Sequence, residues 1–139
     1  MLDDGALAHG AAALANADPR LGRLLAINGV PPLWGRKHGF ATLVKIILEQ
    51  QVSLDSAAAA YANLESAIGE VAPSGFLTLG DAELKRIGFS RQKTGYCRGV
   101  AEGIVRGSID LKSMSVMGDE AARDYLTAIR GIGPWTADV

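Results

Sequence analysis

The sequence predicts an all-α fold, and three features carry that expectation. No stretch alternates apolar and polar residues with the two-residue period of a half-buried strand. Apolar residues instead recur three and four apart, the spacing that lines one face of a helix. Residues that start helices (Asp, Ser, Pro) alternate along the chain with glycines that end them.

Taken in order, "LAHGAAALANA" is alanine-rich and helical and stops before Asp18-Pro19, where Asp18 caps the next helix and Pro19 opens it. That helix, about Arg20 to Ile27, ends at Asn28-Gly29. "VPPLWGRKHG" is a loop, since its prolines and glycines prevent regular structure. From Phe40 to about Gln50 the apolar residues are too dense for a surface helix, which predicts a central buried one. "SLDSAAAAYANLESAIG" is a further helix with Ser53 as N-cap, and its alanines allow close packing. A short helical turn near "SGFLTL" leads to "DAELKRIG" with Asp81 at the cap position, then to "SRQKTGYCRGVAEGIVRG" capped by Ser90. "GDEAARDYLTAIR" is the last full helix, and Pro134 sits where another begins. No Pro/Ser-rich linker divides the chain, so the expectation is one helical domain over residues 1–139. Helical spacing places Phe40, Leu43, Ile47, Leu64, Ile68, Leu84, Ile87, Ile104, Leu126, Ile129 and Ile132 in the core.

Composition narrows the function classes. With 139 residues, 48% hydrophobic and 21% charged, the chain can bury a core. No apolar run reaches a membrane span, and the N-terminus has Asp3 and Asp4 rather than the basic start of a secretory signal. The single cysteine, Cys97, excludes an internal disulfide and points to a reducing, intracellular compartment. Net charge is −1, against indiscriminate polyanion binding. Yet seven Lys and Arg residues between Leu84 and Lys112 face only Glu102 and Asp110, a basic stretch that suits either a polyanion contact or a solvated helix face.

The segment "LTAIRGIGPWTADV" (126–139) is the most informative. Two helices joined by Gly131-Ile132-Gly133 make a tight turn, because glycine admits positive φ and close approach. The first N–H groups of the second helix then lack partners, and the helix N-terminus carries partial positive charge. Such a turn can hold an anion, with Ile132 plugging the gap between helices and Thr136 adding a hydroxyl. An ordinary αα-corner would use the same glycines. The number of positions fixed at once, from Leu126 to Ala137, favours phosphate. "LKRIGFSRQKT" (84–94) echoes the arrangement weakly, as a degenerate hairpin or simply as two joined short helices.

This segment resembles the helix-hairpin-helix of the HhH-GPD DNA glycosylases, here at 123–139, and "IILEQQVS" (46–53) resembles that superfamily's minor-groove-wedge helix. The likeness covers about Gly39 to Val139 and is nearest to 3-methyladenine DNA glycosylase II and its relatives. It implies a compact helical array, double-stranded DNA with alkylated bases as partner, and no cofactor. It further implies that the backbone of Gly131, Ile132 and Gly133 grips a DNA phosphate, with a monovalent cation on the Gly131 and Gly133 backbone, and that Thr136 adds a phosphate contact. Gln51 matches the residue inserted where the damaged nucleotide leaves; a flat amide there lowers the cost of flipping. Trp135 stands where bifunctional members carry a Schiff-base lysine, which implies monofunctional hydrolysis and an indole wall for a cationic base. Trp34 and Tyr61 are further base-pocket candidates, with packing against the core as the competing role.

The family's catalytic aspartate lies beyond the hairpin's second helix, so the resemblance implies a C-terminally incomplete chain without it. The truncation would expose apolar surface suited to self-association. Asp138 is too near the turn to match that aspartate, and Glu49 is the acid beside the wedge motif. A non-enzymatic helix-hairpin-helix DNA-binding or interaction module is the alternative reading.

Overall fold

A computed structural model of the chain describes residues 3–33 and 35–138. Nine α-helices and one 3-10 turn make up its regular structure, with no strand among the described residues. The all-α expectation holds. The chain forms two compact units, 1–36 and 37–139, where the sequence reads as a single domain. The break falls within the proline-bearing loop, which composition alone does not distinguish from any other connection.

The first unit pairs α1 (Asp4–Ala17) with α2 (Pro19–Asn28). Asp18 ends one helix and starts the next, its carboxylate accepting from the Arg20 amide at 2.8 Å and from the Arg20 guanidinium at 2.9 Å. That side-chain bond to Arg20 holds the Asp18 carboxyl below its ordinary pKa.

The second unit is built around α3 (Phe40–Glu49), which buries six of its ten side chains: Phe40, Leu43, Val44, Ile46, Ile47 and Leu48. It packs on α4 (Leu54–Ile68) and α7 (Arg91–Val105). Short helices α5 (Pro73–Thr78) and α6 (Asp81–Ile87) close the core, with Phe76 between Phe40 and Phe89 at ring separations of 5.9 and 5.6 Å. A 3-10 turn (Ser113–Val116), α8 (Asp119–Thr127) and α9 (Pro134–Asp138) complete it. Ser53 and Ser90 cap α4 and α7 as their sequence positions require. The cap of α6 is Gly80 rather than Asp81: the Glu83 carboxylate reaches back to accept from the Gly80 amide at 2.9 Å, the work a capping side chain would share.

Seven of the eleven residues expected in the core are buried, and Ile68, Ile87, Ile104 and Ile129 are half-buried against it. Cys97 is sealed inside, and desolvation pushes its thiol up to about 12. Two outcomes follow from this packing. Leu64→Ala, at a position with no solvent exposure, lowers stability by about 2–5 kcal/mol in denaturant titration. Cys97 reacts with a thiol reagent at neutral pH only after denaturant is added; fast labelling of the folded chain would contradict the core described.

Candidate functional site

Two segments far apart in sequence meet at one groove. The first is the end of α3. Its last buried residues hold the backbone in place, and the chain leaves the helix at Gln50 and turns at Gln51, whose φ is 58°. Gln51 is the only described non-glycine residue with positive φ, a conformation uncommon outside glycine. The turn leaves the Gln51 side chain exposed. Lys93 on α7 donates its ammonium to the Leu48 carbonyl at 2.7 Å, satisfying one of the orphan carbonyls at the end of α3. Burial draws the Lys93 pKa down, with the nearby Cys97 acting in the opposite sense.

The second segment is the connection from α8 to α9. Ile132 is buried at 4% exposure and its amide donates to the Ile129 carbonyl at 3.0 Å, so it plugs the turn as its sequence position implies. The two glycines do different things. Gly131 has φ 95°, and an added Cβ would lie 2.2 Å from the Tyr96 ring. Gly133 is not in the left-handed region and has open space where a Cβ would stand. Only Gly131 therefore needs glycine for the fold; Gly133 leaves a backbone that a ligand can approach. The amides of Gly133 and Trp135 have no backbone partner among the described residues, and Pro134 has no N–H to offer.

Gln50 joins the two segments. Its Nε2 donates to the Gly131 carbonyl and to the Thr136 hydroxyl, both at 3.1 Å. Across the hairpin, Arg123 holds Asp138 through Nε to Oδ1 at 2.9 Å and through its second nitrogen to Oδ2 at 3.1 Å, fastening α8 to α9. Both partners are about half-exposed, so the pair adds at most about 1 kcal/mol. The resulting groove, about 620 Å³, runs past Gln50, Gln51 and Tyr96 to Arg130, Gly133 and Trp135. Trp135 is 69% exposed along its edge.

Several sequence assignments change here. Thr136 is 7% exposed and its hydroxyl accepts from Gln50, so it braces the hairpin from inside instead of facing out to a phosphate. The Gly131 carbonyl accepts from Gln50 and the Gly133 carbonyl accepts from the Ala137 amide, which leaves each oxygen one further lone pair. Tyr61 is buried in the core, with the Lys45 ammonium 4.2 Å from its ring centre, and does not line the groove. Trp34 lies outside the described residues. Gln51, Ile132, Gly133 and Trp135 do come together at the groove. Sequence reasoning missed Gln50 and Tyr96. The signal for Gln50 was an amide side chain directly after a buried helix, while Tyr96 could be found only by knowing that α7 passes beneath Gly131.

Residues 44–137 match the family model described as HhH-GPD superfamily base excision DNA repair protein. The chain is 36% identical over 108 residues to an endonuclease III of Sulfolobus acidocaldarius, covering 74% of this chain and 46% of that protein. It is 30% identical over 102 residues to YfjP of Bacillus subtilis, which carries the name of a DNA-3-methyladenine glycosylase, covering 68% and 36%. The chain thus spans less than half the length of either curated relative. The solved structure of a DNA-3-methyladenine glycosidase from Bacillus halodurans superposes with a TM-score of 0.76 at 32% identity, over 89% of this chain and 58% of that one.

The unequal glycines supply a direct check. Gly131→Ala drives a methyl group into Tyr96 and strains a positive φ, so it lowers stability by roughly 1–3 kcal/mol or more. Gly133→Ala leaves stability within about 1 kcal/mol, since nothing opposes the added carbon. Thermal melts of the two variants distinguish them, and equal losses would contradict the hairpin geometry.

Proposed function

The chain belongs to the HhH-GPD superfamily of base excision DNA repair proteins, and we propose that it serves a monofunctional DNA glycosylase acting on alkylated purines. The observation that carries this reading is Trp135, an exposed indole on the groove wall, which by the motif resemblance matches the position of the nucleophilic lysine of the family's bifunctional members. An indole cannot form a Schiff base, which leaves water as the attacking group. Its electron-rich face attracts an alkylated purine, which is cationic, by about 0.5–2 kcal/mol through cation–π stacking. The likeness to an endonuclease III supports the shared framework and does not choose among lesions. The side chain at residue 135 supports the choice.

In this reading the other groove residues divide the remaining work. The amides of Gly133 and Trp135, without a backbone partner among the described residues, hold a DNA phosphate at the start of α9. Gln51, held outward by its turn, enters the duplex as the damaged nucleotide leaves and offsets part of the few kcal/mol that unstacking costs. Gln50 and Thr136 keep the two contacts at a fixed spacing. Hydrolysis then breaks the bond between base and sugar, releasing the free base and leaving an abasic sugar in an intact strand. No catalytic carboxylate is assigned among these residues, because Asp138 is committed to Arg123.

Gly133→Val closes the approach to the hairpin amides and weakens duplex binding alike for all sequences, with a shallower dependence on salt. Trp135→Ala lowers the preference for a duplex carrying a methylated purine over an unmodified one, by roughly two- to thirtyfold, while plain duplex binding changes little. Fluorescence anisotropy with the two duplexes reads both effects, and an unchanged preference would remove the base-stacking role from Trp135. Strand scission of alkylated DNA without added alkali, or borohydride trapping of the chain on DNA, would overturn the monofunctional assignment.

A further inference from the structure

The basic stretch of the sequence and its weak echo of the hairpin find a structural counterpart away from the groove. Where α6 hands over to α7, a pocket of about 540 Å³ opens beside the N-terminus of α7. Lys85, Arg91 and Arg98 border it, with Asp81 as the acid among its lining residues and Phe89 as an apolar wall. Arg98 is held by Asp81 at 2.8 Å and by the Leu79 carbonyl at 2.7 Å. Lys85 and Arg91 have no side-chain partner among the described residues, which leaves positive charge to spare. Ser90 caps the Lys93 amide, while the Arg91 and Gln92 amides at the start of the helix have no backbone partner.

Thr94 distinguishes this pocket from an ordinary helix end. It lines the pocket and is 8% exposed, yet its hydroxyl has no hydrogen-bond partner among the described residues. Every fully enclosed side-chain polar atom described does have a partner, so the Thr94 oxygen opens on the pocket rather than being sealed behind it. An accessible hydroxyl on an otherwise buried side chain is placed to donate to a ligand seated in the pocket.

We propose that this pocket is a second phosphoryl-binding site, separate from the hairpin, in which the Thr94 hydroxyl and the first amides of α7 donate to phosphate oxygens while Lys85 and Arg91 balance the charge. Its volume exceeds what a bare phosphate fills, and the Phe89 wall suits an attached sugar, so the ligand class is a phosphate ester of a sugar. A phosphodiester of DNA and a free nucleoside monophosphate share that chemistry. The site does not depend on the glycosylase reading: of its residues only Gln92, which contributes a backbone amide, also borders the groove, and the side chains assigned to the site do not.

The test is an NMR titration of the whole chain with inorganic phosphate, deoxyadenosine monophosphate and a short duplex, following the amides from Arg91 to Gly95. Thr94→Val weakens binding at these amides by roughly tenfold, the worth of one hydrogen bond to a charged group. Because that residue is packed in the core, the exposed pair Lys85→Gln with Arg91→Gln provides a second variant without a folding cost, and it too weakens binding. Gly133→Val leaves the response to mononucleotide unchanged. If DNA is the natural source, both variants lower duplex affinity, and the charge variant flattens the salt dependence by up to about two phosphate contacts. If a free ester is the source, mononucleotide binding is lost in both while duplex affinity stays as in the parent chain. Amides that move with none of the three probes, or that move equally in the parent and both variants, would overturn the proposal.

Discussion

The arrangement of the groove depends on one side-chain amide. Gln50 stands just after the most buried helix of the chain and reaches the Gly131 carbonyl and the Thr136 hydroxyl, 81 and 86 residues away. Both acceptors are in a partly buried place, where an unpaired polar group costs about 1–3 kcal/mol. The bridge can form only because several other constraints meet. Leu48 and its neighbours fix where α3 ends, Lys93 satisfies a carbonyl there, and Tyr96 lies against a residue with no side chain. The Gln51 turn and the hairpin are therefore tied to each other, as the proposed reading requires if one contact is to grip a phosphate while another enters the duplex.

In the proposed reading, this division also explains how a chain of net charge −1 would address DNA. Recognition by backbone amides at a hairpin needs no excess of Lys and Arg, because the dipoles are fixed by the fold and the ligand supplies the full charge. Lys85, Arg86, Arg91, Lys93 and Arg98 lie on α6 and α7, where Lys85 and Arg91 have no side-chain partner among the described residues beside a helix start. A chain made this way avoids the sequence-blind affinity of a uniformly basic surface.

Much of this was legible in the sequence because the relevant physics is local. Helix spacing, serine caps and the Gly-Ile-Gly turn are each decided within a few residues, and they appear where expected. What stayed hidden depends on contacts between distant segments. Nothing near Thr136 says that a glutamine from α3 will take its hydroxyl, and nothing near Gly131 says that Tyr96 is the reason it must be glycine. Tyr61 illustrates the opposite error: an aromatic on an alanine-rich helix reads equally well as pocket or core, and only its neighbours decide for core. The cap of α6 was shifted by one residue because Glu83 acts from three positions downstream.

The most direct test of the account is to remove the bridge while keeping its bulk. Gln50→Met retains an unbranched side chain of similar length but cannot donate to Gly131 or Thr136. Hydrogen exchange at Gly133 and Trp135, read together with duplex affinity, measures whether the hairpin keeps its shape. The account predicts a folded variant with faster exchange at those two amides and duplex binding weakened by roughly tenfold or more, to all sequences alike. A folded Gln50→Met chain with parental exchange and parental affinity would show that wedge and hairpin hold their positions without Gln50, and would contradict the claim.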